Sequence, residues 1–213
     1  MSKQNIRVLL VDDHAVVIDG IRLMLRTVPQ IEVTGTAATA AEALDLVRKQ
    51  DFEVALVDIG LPDKNGLELL KRLRIEKPQL AVLILSMFAE DIYALRALKL
   101  GASGFLSKNS GLALVLDAVQ KVAAGGKYIS PAMVDIIAAS LSSRQAGRHE
   151  DLSNRELDVL RMLAVGDSIN VIASMLHLSP STVSSYRSRI LGKTGMKNNV
   201  QLARYATENG LLE

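Results

Sequence analysis

Residues 8–17 read VLLVDDHAVV. Four apolar residues, Val8 to Val11, run without polar alternation into two adjacent carboxylates, Asp12 and Asp13. An unbroken apolar run of this length is the pattern of a strand covered on both faces, as in a parallel sheet. Two like charges a few Å apart repel by roughly 1 kcal/mol in water and several times that near a protein surface. Two acids closing a buried strand therefore need a neutralising partner.

Working outward, the same strand pattern recurs. IEVTG from Ile31, EVALVD from Glu53, AVLILS from Ala81 and SGFLSK from Ser103 all read as strands. Between them, segments such as AAEALDLVRKQ from Ala40, NGLELLKRLRIEK from Asn65 and LALVLDAVQKVAAGG from Leu112 place apolar residues at i, i+3, i+4 and i+7. A further helical segment is read from Asp19 to Leu25. Five strands alternating with five helices predict an α/β fold, a doubly wound five-stranded parallel sheet, over residues 1–125. Residues 126–150 read as a linker carrying one short helix, PAMVDIIAASL from Pro131, and then the aperiodic polar run SSRQAGRHED. Residues 151–213 read as helical throughout.

Composition limits the chemistry. Of 213 residues, 49% are hydrophobic but only 3% aromatic, so the cores must be aliphatic. With no cysteine there is no disulfide, thiolate metal site or cysteine nucleophile. The longest apolar runs, such as AVLIL from Ala81, are far short of a membrane span. With no signal-peptide core near the N-terminus, the expected location is the cytoplasm. A net charge of +2 is too small to identify a partner.

In an open parallel sheet, ligands bind beyond the carboxyl ends of the strands. Asp12 and Asp13 close the first strand, Asp58 the third and Ser86 the fourth, and Lys108 follows the fifth. If these strands are adjacent, three carboxylates and a lysine share one rim. That set suits a hard cation beside a phosphate, since Mg²⁺ takes one or two carboxylates, keeps several waters and accepts a phosphate oxygen. Taken singly, an acid at a strand end is often no more than a helix cap.

VLLVDDH, VALVDIGLPDKNGLELL, LILS and GASGFLSK resemble the flavodoxin-like receiver domain of bacterial two-component response regulators, over roughly residues 5–125. The resemblance implies that Asp58 is the phosphoacceptor, and that Asp12, Asp13, Asp58 and the Gly60 carbonyl bind Mg²⁺. It also implies that Ser86 is the switch hydroxyl, Lys108 the phosphate-pairing lysine and Phe105 the rotating aromatic. On pattern alone, Phe105 reads as an ordinary core residue. One departure is Asn109, where many receivers have a proline in a cis bond; a non-proline cis bond costs about 3 kcal/mol.

In the C-terminal segment, Ser153 and Glu156 match a capping box. Ser168 precedes a helix whose inner face is Ile169, Ile172, Ala173 and Leu176. Ser179 and Pro180 open the next helix after a short turn, which makes a helix-turn-helix. No acid occurs between Asp167 and Glu208, whereas Arg187, Arg189, Lys193, Lys197 and Arg204 do, a footprint suited to phosphates. On a helical wheel Val183 and Ile190 face inward. Ser181, Ser185, Ser188 and Gly192 lie opposite, flanked by Ser184 and Arg189, and small polar residues let a helix enter the major groove.

LSNRELDVLRMLA, IASMLHLSPSTV and NGLL resemble the LuxR-type DNA-binding domain of NarL/FixJ-family regulators. TVSSYRSRILGK and VDIGLP are most similar to the branch typified by BvgA and EvgA. The family's base-reading positions fall on Ser184, Ser185 and Ser188. Arg187, Arg189, Lys193 and Lys197 are then expected at phosphates, with Arg189 also within reach of a base. Departures from the family pattern are Ser184, Tyr186 and the run Ile169-Asn170-Val171.

The expectation is a transcription factor rather than an enzyme. A sensor histidine kinase phosphorylates Asp58, and phosphorylation controls homodimerisation and binding to double-stranded DNA. RNA polymerase is a further partner, and no membrane is involved. Two other readings fit parts of the chain. A Mg²⁺-dependent phosphohydrolase would also use an aspartate nucleophile, but lacks a second acid two residues beyond Asp58, where Gly60 stands. A protein-docking adaptor would have a helix-turn-helix that no longer binds DNA.

Overall fold

The computed structural model describes residues 5–86, 90–142, 151–209 and 211–212. The chain forms two compact units, residues 1–140 and 141–213. Most of the run read as the polar linker, residues 143–150, lies outside the described residues.

The first unit alternates strands and helices: β1 (Ile6–Val11), α1 (Ala15–Leu25), β2 (Ile31–Ala37), α2 (Ala40–Lys49), β3 (Val54–Asp58), α3 (Gly66–Glu76), β4 (Ala81–Ser86), α4 (Glu90–Lys99), β5 (Gly104–Ser107) and α5 (Leu112–Ala123). All pairings are parallel, in the order β2-β1-β3-β4-β5. The expected α/β sheet is therefore present. Every residue of β3 and β4 is buried, as unalternated apolar runs require. One face carries Val8, Leu10, Val54, Leu56, Leu83, Leu85 and Leu106, packed on Leu25 of α1 and on Val115, Ala118, Val119 and Val122 of α5. The intervening residues Leu9, Val11, Ala55, Val57, Val82 and Ile84, all about 1% exposed or less, fill the other face. A sixth helix, α6 (Pro131–Ser142), follows β5 and α5.

The strand order reverses between β1 and β3, and that switch point opens a crevice at their carboxyl ends. The β3–α3 loop is braced across it. Asp63 accepts Ala40 N (2.9 Å) and Ala41 N (3.0 Å), capping the start of α2 from a different loop. Gly66 N donates to Ile59 O at 2.9 Å, folding the start of α3 back onto the end of β3. A Cβ on Gly66 would lie 2.0 Å from the Asp58 carbonyl oxygen, so this close approach requires glycine.

The second unit contains α7 (Asn154–Val165), α8 (Ile169–Met175), α9 (Pro180–Thr194) and α10 (Asn199–Glu208). The capping box forms in full: Glu156 N donates to Ser153 Oγ, and Ser153 N to Glu156 Oε2 at 2.7 Å. Ser168 and Ser179 cap α8 and α9, with Pro180 in the first turn of α9. Leu157, Leu160, Ile172, Val183, Ile190, Leu202 and Ala206 are all fully buried. His177, in the turn joining α8 to α9, holds a left-handed φ of 52°.

Candidate functional site

Three loops at the carboxyl rim place the predicted acids together. Asp12 ends its run with its backbone N–H on Ala37 O (3.0 Å), and its side chain is almost wholly buried. Asp58 closes β3 and is also buried. Lys108 reaches back from the end of β5, its backbone N–H held by Ser86 O at 2.8 Å. Its ammonium lies 2.6 Å from Asp12 Oδ2 and 2.9 Å from Asp58 Oδ2. Lys108 is thus a neutralising partner for the buried acids. All peptide bonds among the described residues are trans, Lys108–Asn109 included.

Burial pushes the Asp58 carboxyl up, the Lys108 ammonium opposes that, and the Asp12 charge adds to the rise. The Gly60 N–H, hydrogen-bonded to the Asp58 carboxylate, pulls it down, but the net direction is upward. Burial alone would lower the Lys108 pKa. Its hydrogen bonds to Asp12 and Asp58 and their charges outweigh burial, so Lys108 is held as a cation. Ser86 and Phe105 are both fully buried. In the β4–β5 register Phe105 lies opposite Ile84, and Ser86 opposite Ser107, which puts Phe105 and Ser86 on one face of the sheet.

The residues suit a divalent cation. Ligand atoms of Asp12, Asp13, His14 and Asp58 all lie within 4.8 Å of one another. Asp13 Oδ1 is buried and accepts no hydrogen bond. Sequence reasoning missed His14, whose Nδ1 lies 2.8 Å from Asp13 Oδ1 and 3.1 Å from Asp12 Oδ1. A histidine directly after two acids was the available signal. Asp63 and Gly66, which set the loop around Asp58, were also missed.

In the second unit, Ser184, Ser185, Ser188 and Arg189 are exposed on α9. The hydroxyls of Ser185 and Ser188 donate to the carbonyls of Ser181 (3.0 Å) and Ser184 (3.2 Å), so each oxygen keeps its capacity to accept. The Arg189 guanidinium lies over the Tyr186 ring, 5.7 Å from its centroid. Arg187 Nε donates to Asn199 Oδ1 at 2.7 Å, tying α9 to α10. Lys197 is exposed beyond the end of α9.

Lys193, expected at a phosphate, also meets an acid of its own unit. Its ammonium donates to the buried Glu156 carboxylate at 2.6 Å and to Asp151 O at 3.2 Å. Burial raises the Glu156 pKa, but Lys193 and the Ser153 N–H outweigh it and leave Glu156 below the ordinary glutamate range. A depressed folded pKa contributes stability above the unfolded value, near 4.3, and loses it as pH falls through the lower folded value. Because the Lys193 side chain is 40% exposed, solvent screens the pair, and Lys193→Ala should cost the C-terminal unit about 1 kcal/mol or less at neutral pH. That cost should fade in acid as Glu156 protonates. Thermal unfolding across pH checks this; unchanged stability at neutral pH would mean that the Glu156 contact does not hold the unit together.

Comparison with known proteins divides the chain in the same way. Residues 8–120 match the response regulator receiver domain, and residues 150–206 match the bacterial regulatory proteins of the luxR family. The response regulator GacA of Pseudomonas aeruginosa is 34% identical over 212 residues, covering 98% of each chain. The response regulator UvrY of Escherichia coli K12 is 32% identical, covering 97% of this chain and 95% of UvrY. RcsB of Salmonella enterica serovar Typhimurium, solved on promoter rprA with the phosphomimetic BeF3−, superposes with a TM-score of 0.63 at 26% identity, covering 95% and 98%. A structure of two RcsB dimers on two parallel DNAs gives 0.60 at 25% identity, covering 95% and 98%.

Proposed function

The chain belongs to the bacterial response regulators that join a receiver domain to a LuxR-type DNA-binding domain, and on that basis we propose that phosphorylation of Asp58 governs its binding to DNA. The observation that carries this reading is the Lys108 ammonium bridging Asp12 and Asp58 at the rim of the sheet.

In this reading an Asp58 carboxylate oxygen attacks the phosphorus of a phosphohistidine on a sensor kinase. An O–P bond forms, the P–N bond breaks, and the electron pair stays on the kinase imidazole. Asp12, Asp13, Asp58 and the Gly60 carbonyl would hold Mg²⁺, which when bound neutralises charge on the transferring phosphoryl oxygens. Lys108 stays charged and swings from Asp58 to a phosphoryl oxygen. The Ser86 hydroxyl turns towards the same group, and Phe105, on the same sheet face, fills the space that Ser86 leaves. A small local movement thus alters the outer face of the unit.

That face then pairs with a second copy. One helix-turn-helix makes few base contacts, so two copies on half-sites about 10–10.5 base pairs apart, or a multiple, combine theirs. A preference of a few kcal/mol for the paired arrangement is enough to change occupancy strongly. RNA polymerase is the downstream partner in this reading. No described helix is long and apolar enough to cross a membrane, and the reading places the chain in the cytoplasm.

On DNA, Ser184, Ser185 and Ser188 read base edges, while Arg187, Arg189, Lys193 and Lys197 contact phosphates, with Arg189 also within reach of a base. Lys197→Ala should weaken binding similarly across sequences and reduce the slope of log affinity against log salt by about one unit. Ser185→Ala should instead change the ranking of sites. Selection from random duplexes with each variant tests both. If Ser184, Ser185 and Ser188 can all become Ala with an unchanged site preference, the groove assignment is wrong.

A further inference from the structure

The acids of the pocket were expected to act with a backbone carbonyl and water as its only donors. His14 adds a nitrogen. Its Nδ1 lies 2.8 Å from Asp13 Oδ1 and 3.1 Å from Asp12 Oδ1. Asp13 Oδ1 has no hydrogen bond despite that short approach, so the imidazole N–H is not directed at it. The same Nδ1 lies within hydrogen-bond distance of Asp12 Oδ1, a bond that only the Nδ1–H tautomer can donate, whereas the Nε2–H tautomer turns the Nδ1 lone pair towards the acids, free for a cation. Two donors at right angles on an octahedral ion, with bonds of about 2.1 Å, stand about 3.0 Å apart. Both His14 spacings match that edge. The His14 side chain is 65% exposed and the Asp12 side chain 3%, so the imidazole meets a buried carboxylate from the solvent-exposed side of the pair. The His14 backbone N–H also donates to Asp12 Oδ1 at 2.9 Å, which fixes the loop that carries the ring.

We infer that His14 is a nitrogen ligand of the cation held by Asp12, Asp13 and Asp58, and that it shifts this pocket's preference from Mg²⁺ towards nitrogen-accepting divalent ions such as Mn²⁺. Mg²⁺ favours oxygen donors and retains its water. Divalent transition ions accept imidazole together with carboxylate, and their affinity rises with each nitrogen donor. In a pocket built only of carboxylates, water would hold the position that His14 occupies. The inference rests on the proposed metal role of the three acids and adds a ligand and a selectivity to it.

The test uses the full chain with Mn²⁺ alone, at a pH where imidazole is neutral. Electron spin-echo spectra of bound Mn²⁺ should show nitrogen modulation from a directly bonded imidazole. His14→Ala should remove that modulation and weaken Mn²⁺ binding about tenfold, with Mg²⁺ binding within about twofold of the parent. His14→Asn keeps an N–H donor beside the acids but no imidazole. It should behave like the alanine variant if His14 is a ligand, and like the parent if His14 only orients the carboxylates. Mn²⁺ bound through the acids without nitrogen modulation, or equal losses for both ions, overturns the His14 assignment alone. If Asp13→Ala and Asp58→Ala leave Mn²⁺ binding unchanged, the metal reading of the pocket itself is wrong.

Discussion

Asp58→Asn should abolish phosphorylation and leave the chain folded. The asparagine amide keeps the shape of the buried side chain but cannot attack phosphorus to form an acyl phosphate. The fold tolerates the change because Lys108 retains its 2.6 Å contact with Asp12, so no buried ammonium is left without a counter-charge. Removing one acid also relieves the repulsion that contributes to raising the Asp58 pKa. The net change in stability should stay within about 1 kcal/mol, the scale of opposing changes in one ion cluster. Incubation with a small labelled phosphodonor and Mg²⁺ should give one base-labile phosphate per parent chain and none on the variant. Stoichiometric labelling of Asp58→Asn at another residue would remove Asp58 from the mechanism.

Gly66→Ala has the largest effect expected of a residue outside the rim itself. The added Cβ would sit 2.0 Å from the Asp58 carbonyl oxygen, 2.8 Å from its carbonyl carbon and 3.0 Å from Ile59 Cα. All three are backbone atoms, so no side-chain rotation can relieve the contact. Either α3 moves out and strains the Gly66 N–Ile59 O hydrogen bond, or the end of β3 shifts and carries the Asp58 carboxylate with it. Overpacking against rigid backbone costs about 3 kcal/mol. A misplacement of about 1 Å at a reacting group slows chemistry by on the order of a hundredfold. Gly20, in the middle of α1 with nothing within 4 Å of a Cβ, is the control. Gly20→Ala should stabilise the chain by about 0.5–1 kcal/mol through helix propensity. Urea unfolding and phosphorylation rates on the two variants should move in opposite directions or, for Gly20→Ala, leave the rate unchanged. Parent-like behaviour of Gly66→Ala would mean that the α3 start does not set the position of Asp58.

The parallel sheet was readable because β1, β3 and β4 are covered on both faces, and a short unalternated apolar run between turn signals is the pattern such burial produces. Where burial is partial, the pattern blurs. β2 lies at the sheet edge, and only its first and last residues are buried, so the strand pattern stops two residues short of Ala37. α1 begins at Ala15, whereas the periodicity is clear only from Asp19, because Val16 is 85% exposed and breaks the inward spacing. The rim acids and Lys108 were legible as a set since strand ends fix where side chains meet. The contact between Lys193 and Glu156 was not. A basic residue in the last turn of α9 suits a phosphate equally well, and its partner is 37 residues away. Asp63 escaped for the same reason, since it caps α2 from 23 residues further along the chain. Pairings of this kind depend on how loops fold back, and no local periodicity encodes them.

The central claim is that the state of Asp58 sets affinity for DNA. The direct measurement is titration of a selected duplex with the full chain, with and without beryllium fluoride and Mg²⁺, for the parent and for Asp58→Asn. The account predicts that the phosphoryl mimic tightens parent binding by on the order of tenfold or more, as a shift of a few kcal/mol in a pairing equilibrium requires. It also predicts a dimer by sedimentation under the same conditions, with no response from Asp58→Asn. Equal affinity with and without the mimic, or an equal response from Asp58→Asn, would contradict it.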